Sequence, residues 1–189
     1  MKNLIPKFFF KLTSLSLTSS NSNIALAKQR VALLKLIKKF PAWAEGHLKL
    51  AQIESVIYRS QANAVDPRAI ARIRVSLQAA KTLLGSERDS GVDFVFGMLC
   101  FFEKDFEQAV EALRAYIDSA DSRANELLYI TALETAGSSA LMLGNERYAF
   151  EFIKDIPEQK LDRDTRLVKQ HLLNKLENPC DEHGQAAKC

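Results

Sequence analysis

FVFGMLCFFEKDFEQAVEAL at 94–113 and ETAGSSALMLGNERYAFEFI at 134–153 decide how this chain folds. In the first, Gly97 is followed by Ala109 and Leu113. In the second, Gly137 is followed by Ala149 and Ile153 at the same intervals, forty residues on. Each stretch has two helix-like halves around a short polar turn, Glu103-Lys104-Asp105 in one and Gly144-Asn145 in the other. Small residues on two facing helices let their backbones approach closely. Repetition of such a unit predicts stacked helical hairpins, each packed mainly on its neighbours, rather than a chain wound about one centre. Arrays of this kind mostly hold other proteins, which lowers the expectation of an enzyme.

Start and stop signals continue outward at hairpin spacing. Residues 24–39 carry two apolar stripes, Ala27, Val31, Leu34 and Lys38 on one side and Leu26, Leu33, Ile37 and Phe40 on another. Pro41 takes Phe40 out of helical geometry and ends that segment. A second helix is expected over 43–58, buried through Leu50, Ile53 and Ile57. Asp66-Pro67 starts a third, with an acceptor at the cap and Pro at the first helical position, and Gly85 stops it. Residues 91–102 are nearly all apolar, the mark of a helix buried on every side. Further helices are expected over 106–119, 125–143, 146–155 and 162–176.

The chain has 189 residues, enough for one ordinary domain or one short array with tails. At 47% apolar residues, with seven Gly and five Pro, it forms a sizeable core and favours helix. Residues 1–23 read as a basic, partly apolar arm, 24–177 as the helical domain, and 178–189 as a polar, disordered tail. Up to Ala44 there are eight Lys/Arg and no acid, whereas the remainder holds eighteen against twenty-three. Such an arm attracts anionic membranes, nucleic acid or acidic protein faces, or is merely solvated. No run reaches the roughly 20 apolar residues that cross a bilayer. A cleaved secretory signal over residues 1–27 is weakened by the Ser, Thr and Asn of 12–23, and an organellar transit peptide is the other open reading.

There is no phosphate loop, no His-Glu-x-x-His and no dinucleotide fingerprint. Cys100 reads as a small core hydrophobe, and Cys180, His183 and Cys189 match no strong zinc template, so no metal or cofactor is expected. His47 reads as structural. The basic clusters Arg68, Arg72, Arg74 and Lys35, Lys38, Lys39 lie in a body that is otherwise acidic, so nucleic acid is not an expected partner.

The alternation of a small residue on a first helix, Ala early in a second and large apolar residues after it resembles the tetratricopeptide repeat (TPR) family. Phe96-Gly97 with Phe106, Ala109 and Leu113 fits best. Gly137 with Tyr148, Ala149 and Ile153 follows, and Ala51 with Ala69, Ile70 and Ile73 fits loosely. The resemblance spans 41–157. It departs from the family in its intervals of 46 and 40 residues rather than about 34, and in having no Trp within a repeat. It implies an all-α fold of antiparallel hairpins stacked as a short right-handed solenoid, about three repeats with capping helices at 24–40 and 162–176. A helical bundle without repeats is the alternative.

In the family, first helices line a concave groove. Carried over by the Gly97 register, the groove positions here are Phe94, Met98, Phe101 and Phe102; Glu134, Ser138, Leu141 and Met142; and Leu48, Gln52, Ser55 and Val56. Leu48, Phe94 and Glu134 stand where a carboxylate clamp would need Lys or Asn, so an apolar peptide or amphipathic helix of another protein is the expected ligand. The competing reading packs these side chains into the core. A further expectation has Phe8-Phe9-Phe10 of the chain's own arm filling the groove. The function implied is a non-catalytic cytoplasmic adaptor. Its alternatives are a peripheral membrane protein held to anionic lipid through residues 1–20, and an accessory helical domain of an enzyme complex.

Overall fold

Capping side chains set where most helices begin in the computed structural model, which describes residues 22–60, 66–161 and 163–177. Helix α1 (Ser22–Lys39) ends before Phe40-Pro41, and α2 (Ala44–Ser60) follows. Helix α3 (Pro67–Leu84) starts where the Asp66 carboxylate accepts from the Arg68 N–H at 2.9 Å. Asp89 likewise accepts from the Gly91 N–H at 2.8 Å to begin α4 (Ser90–Phe102). Asp105 caps α5 (Phe106–Ile117), Asn125 caps α6 (Glu126–Met142) and Asn145 caps α7 (Glu146–Ile153). Helix α8 (Arg163–Glu177) is the last, and short 3-10 turns occupy Ser122–Ala124 and Glu158–Lys160. All regular structure among the described residues is helical.

A cap contributes about 1 kcal/mol, whereas a fully buried Phe, Met or Leu contributes about 1.5–3 kcal/mol. Caps therefore set register, and burial supplies most of the stability. The chain divides into two units, Met1–Glu87 and Arg88–Cys189. In the first, α2 packs against both α1 and α3. Leu26 and Leu33 of α1, Ala51 of α2 and Ile73 and Ala80 of α3 are buried. Of the two apolar stripes of α1, the Leu26–Leu33 side is thus covered, while Val31 and Leu34 remain 49% and 42% exposed. One acid lies inside this unit. Glu54 is only 7% exposed, accepts from Arg30 Nε at 2.8 Å, and lies 3.7 Å from Arg72 Nε.

In the second unit each helix packs on the next, and α4 also touches α6. Helices α4 and α5 run antiparallel, because Phe101 meets Phe106, Gly97 faces Leu113, and Phe94 meets Tyr116 further from the turn. The α6–α7 hairpin repeats the arrangement, Gly137 facing Ile153. A Cβ built on Gly97 would lie 2.6 Å from Leu113 Cγ, and one on Gly137 would lie 2.8 Å from Ile153 Cγ2. Helix α6 can be packed on two sides because, Leu128 and Leu133 apart, its buried residues are small. Thr131, Thr135 and Ser139 satisfy their hydroxyls within the helix, donating to the carbonyls four residues back at 2.7–2.8 Å.

The two turns match bond for bond. The Asp105 and Asn145 N–H groups donate to the Cys100 and Ala140 carbonyls, both at 2.9 Å. Glu103 and Leu143 bond back to Leu99 and Ser139, and Lys104 and Gly144 to Phe101 and Leu141. Each turn requires a left-handed residue: Gly144 supplies φ 75°, and Lys104 adopts φ 64° at a steric cost. Lys104→Gly is therefore expected to stabilise the chain by about 0.5–1 kcal/mol. It should be read as a higher urea midpoint at an unchanged m-value.

Candidate functional site

The residues expected to line a groove separate into an interior set and a surface set. Phe94 and Met98 are fully buried in the second unit; Phe94 packs edge-on against Tyr116 with centroids 5.2 Å apart. Leu48, Gln52, Ser55 and Val56 are buried as well, at 7% exposure or less. The reading that packs such side chains into the core describes these six, because helices lie against both flanks of α2 and the α4–α5 hairpin closes over Phe94. They offer no surface to a ligand in this conformation. Gln52 Oε1 is buried with no hydrogen-bond donor, as is Glu54 Oε2.

The remaining positions reach the surface, all but the mid-helix Glu134 towards the C-terminal ends of α4 and α6. Phe101 and Phe102 are half-buried, their rings edge-on at 6.0 Å. Forty residues later Leu141 is half-buried and Met142 is 66% exposed, followed by Leu143 at 46%. Glu134 and Ser138 are also half-buried, the Ser138 hydroxyl donating to the Glu134 carbonyl at 2.7 Å. An apolar strip thus recurs at equivalent positions of two helices that touch one another. The repeat positions themselves, Gly97, Ala109, Leu113, Gly137, Ala149 and Ile153, are interior, as are Ala51 and Ala69 of the first unit.

The buried thiol and phenol of the second unit are both held in their neutral forms. Burial, with the nearby carboxylates of Asp105 and Glu103 adding to it, pushes the Cys100 thiol up to about 11, so it is protonated at neutral pH and a poor nucleophile. Burial likewise raises the Tyr116 phenol to about 12, and its O–H donates to the Ser122 carbonyl at 3.3 Å. His47 stands 2.9 Å from the Pro41 carbonyl through Nε2, a contact that ties the helix start to the preceding turn. Among the described residues no three His, Cys, Asp or Glu side chains converge as a metal site. No helix among them is long and apolar enough to cross a membrane. Phe8-Phe9-Phe10, Cys180, His183 and Cys189 lie outside the described residues.

The Arg30–Glu54–Arg72 cluster was not foreseen. Its signal was present: Glu54 is one of only two acids before residue 66 and is flanked by Ile53, Ser55, Val56 and Ile57. An acid in such a run needs a partner when buried.

No family model, curated protein or solved structure matches this chain.

Proposed function

We propose that the chain is a non-catalytic adaptor, a short TPR-like right-handed solenoid of antiparallel hairpins that holds an apolar peptide or amphipathic helix of another protein. The observation that carries this reading is the strip ending in Phe102 on α4 and its equivalent Met142 on α6, extended by Leu143 just past that helix, apolar and accessible. Large flexible Met and flat Phe side chains suit the apolar anchors of a helix. The duplicated hairpin supports the array, and the inert setting of Cys100 and Tyr116 suits a role in binding rather than catalysis.

The test is affinity capture from the source cells with wild type and with Met142→Glu/Leu143→Glu. Both positions are exposed, so circular dichroism and the melting temperature should be unchanged. The expected result is loss of one specific partner, with affinity reduced about 30-fold or more if Met142 is a central anchor. Identical captures from both proteins would remove the strip from the reading.

A further inference from the structure

Charge in this chain divides at the boundary between the units. Residues 1–87 hold fourteen Lys/Arg and four Asp/Glu, whereas residues 88–189 hold twelve and nineteen, giving +10 and −7. Little offsets the positive unit from within. Of its four acids, Glu54 is buried beside Arg30 and Arg72, and Asp66 is engaged as the cap of α3.

Helix α1 concentrates the effect. It carries Lys28, Arg30, Lys35, Lys38 and Lys39 and no acid. Its inner stripe, Leu26 and Leu33, is buried, but its outer face leaves Ile24 62%, Val31 49% and Leu34 42% exposed. Lys28, Lys35 and Lys38 are exposed at the spacing that places them among these three on the same face. Ile24, Ala27, Lys28 and Val31 line a shallow, open apolar depression. The chain immediately before α1 adds Lys2, Lys7 and Lys11, again without an acid.

We infer that the outer face of α1 docks on an anionic lipid bilayer, with Ile24, Val31 and Leu34 at the boundary of headgroups and acyl chains and the lysines among the headgroup anions. Positive charge alone would suit any polyanion; the exposed apolar residues choose among them. Ile24, Val31, Leu34, Val75 and Leu83, the exposed large apolar residues described in this unit, are all aliphatic. Single-stranded nucleic acid is held by stacking on aromatic rings, and Phe40, Trp43 and Tyr58 of this unit are half-buried. A partner helix binds best in a groove with two walls, whereas among the described residues the α1 depression is lined by that one helix. A bilayer accepts a convex helix whose lysine stems bury their methylenes and lift the ammonium groups to the headgroups.

The test is flotation of the full chain with phosphatidylcholine vesicles, with and without phosphatidylserine. Binding is expected only with phosphatidylserine, and release near 1 M salt, where the Debye length falls to about 3 Å. Lys28→Gln/Lys35→Gln/Lys38→Gln should lower partition about 100-fold, at roughly fivefold per lysine. Val31→Glu/Leu34→Glu should lower it at least about tenfold with helicity unchanged, since both positions are already open to solvent. The inference is overturned if wild type ignores phosphatidylserine vesicles, binds pure phosphatidylcholine equally well, or floats no better than either variant. Binding to single-stranded RNA without binding to vesicles would overturn it too.

Discussion

Phe94→Ala is expected to destabilise the chain by about 3–5 kcal/mol, the usual cost of emptying an enclosed aromatic site. The Phe94 ring has no exposed surface and packs edge-on against Tyr116, which is itself 3% exposed. Its neighbours Val95 and Met98 are also fully buried. Truncation therefore removes the aromatic contact and leaves a cavity lined by side chains that can relax only partly. A domain's whole stability is about 5–15 kcal/mol, so this loss should show plainly in urea unfolding followed by far-UV circular dichroism. A shift below about 1 kcal/mol would mean that the ring is not enclosed and would return Phe94 to the set of ligand contacts. Met142→Ala, by contrast, should leave stability almost untouched, since the side chain is 66% exposed.

Gly97→Val is expected to cost at least about 3 kcal/mol, at the upper end of overpacking effects. A Cβ there would meet Leu113 Cγ at 2.6 Å and the Leu113 backbone nitrogen at 3.1 Å. The leucine side chain can turn aside; the backbone can yield only by moving the two helices apart. At Gly137 the close contact is with Ile153 Cγ2 at 2.8 Å, and the nearest backbone atom, the Ala149 oxygen, is at an ordinary 3.4 Å. The glycines are therefore not equivalent in cost. Gly97→Ala should lose about 2 kcal/mol and Gly137→Ala less than about 1 kcal/mol, the better helix propensity of Ala offsetting part of each strain. Leu113→Ala in the Gly97→Ala background should cost less than the two changes summed, by about 1–2 kcal/mol. Strict additivity in that cycle would show that the two residues do not press on each other.

Helix positions were legible because their causes are local. Asp66-Pro67, Asn125 and Asn145 supply acceptors at helix starts wherever they occur, and Pro41 ends a helix without reference to the rest of the fold. The hairpin contact was legible because it was written twice, so that chance spacing could be set aside. Other features depend on what lies across from a residue. Both stripes of α1 have the same helical period, and only the position of α2 decides that Leu26 and Leu33 are covered while Val31 and Leu34 are not. The groove register placed Phe94 and Met98 beside Phe101 and Phe102. It carried no measure of depth along α4, and the structure buries the first pair fully and the second only halfway. Glu54 was visible as an isolated acid, but its partners, 24 residues away in Arg30 and 18 in Arg72, belong to other helices and follow no local rule.

The two matching turns also bear on how such a chain can change in length. Each hairpin, forty residues from the other, has a side-chain cap, a left-handed residue and a glycine facing a branched side chain at equivalent positions. One residue fewer, taken from within a helix, would rotate everything beyond it by about 100° about the helix axis and turn buried alanines such as Ala136 and Ala149 towards water. Inside these helices length is therefore held by rotation as much as by distance, and single-residue changes belong in the connections between them.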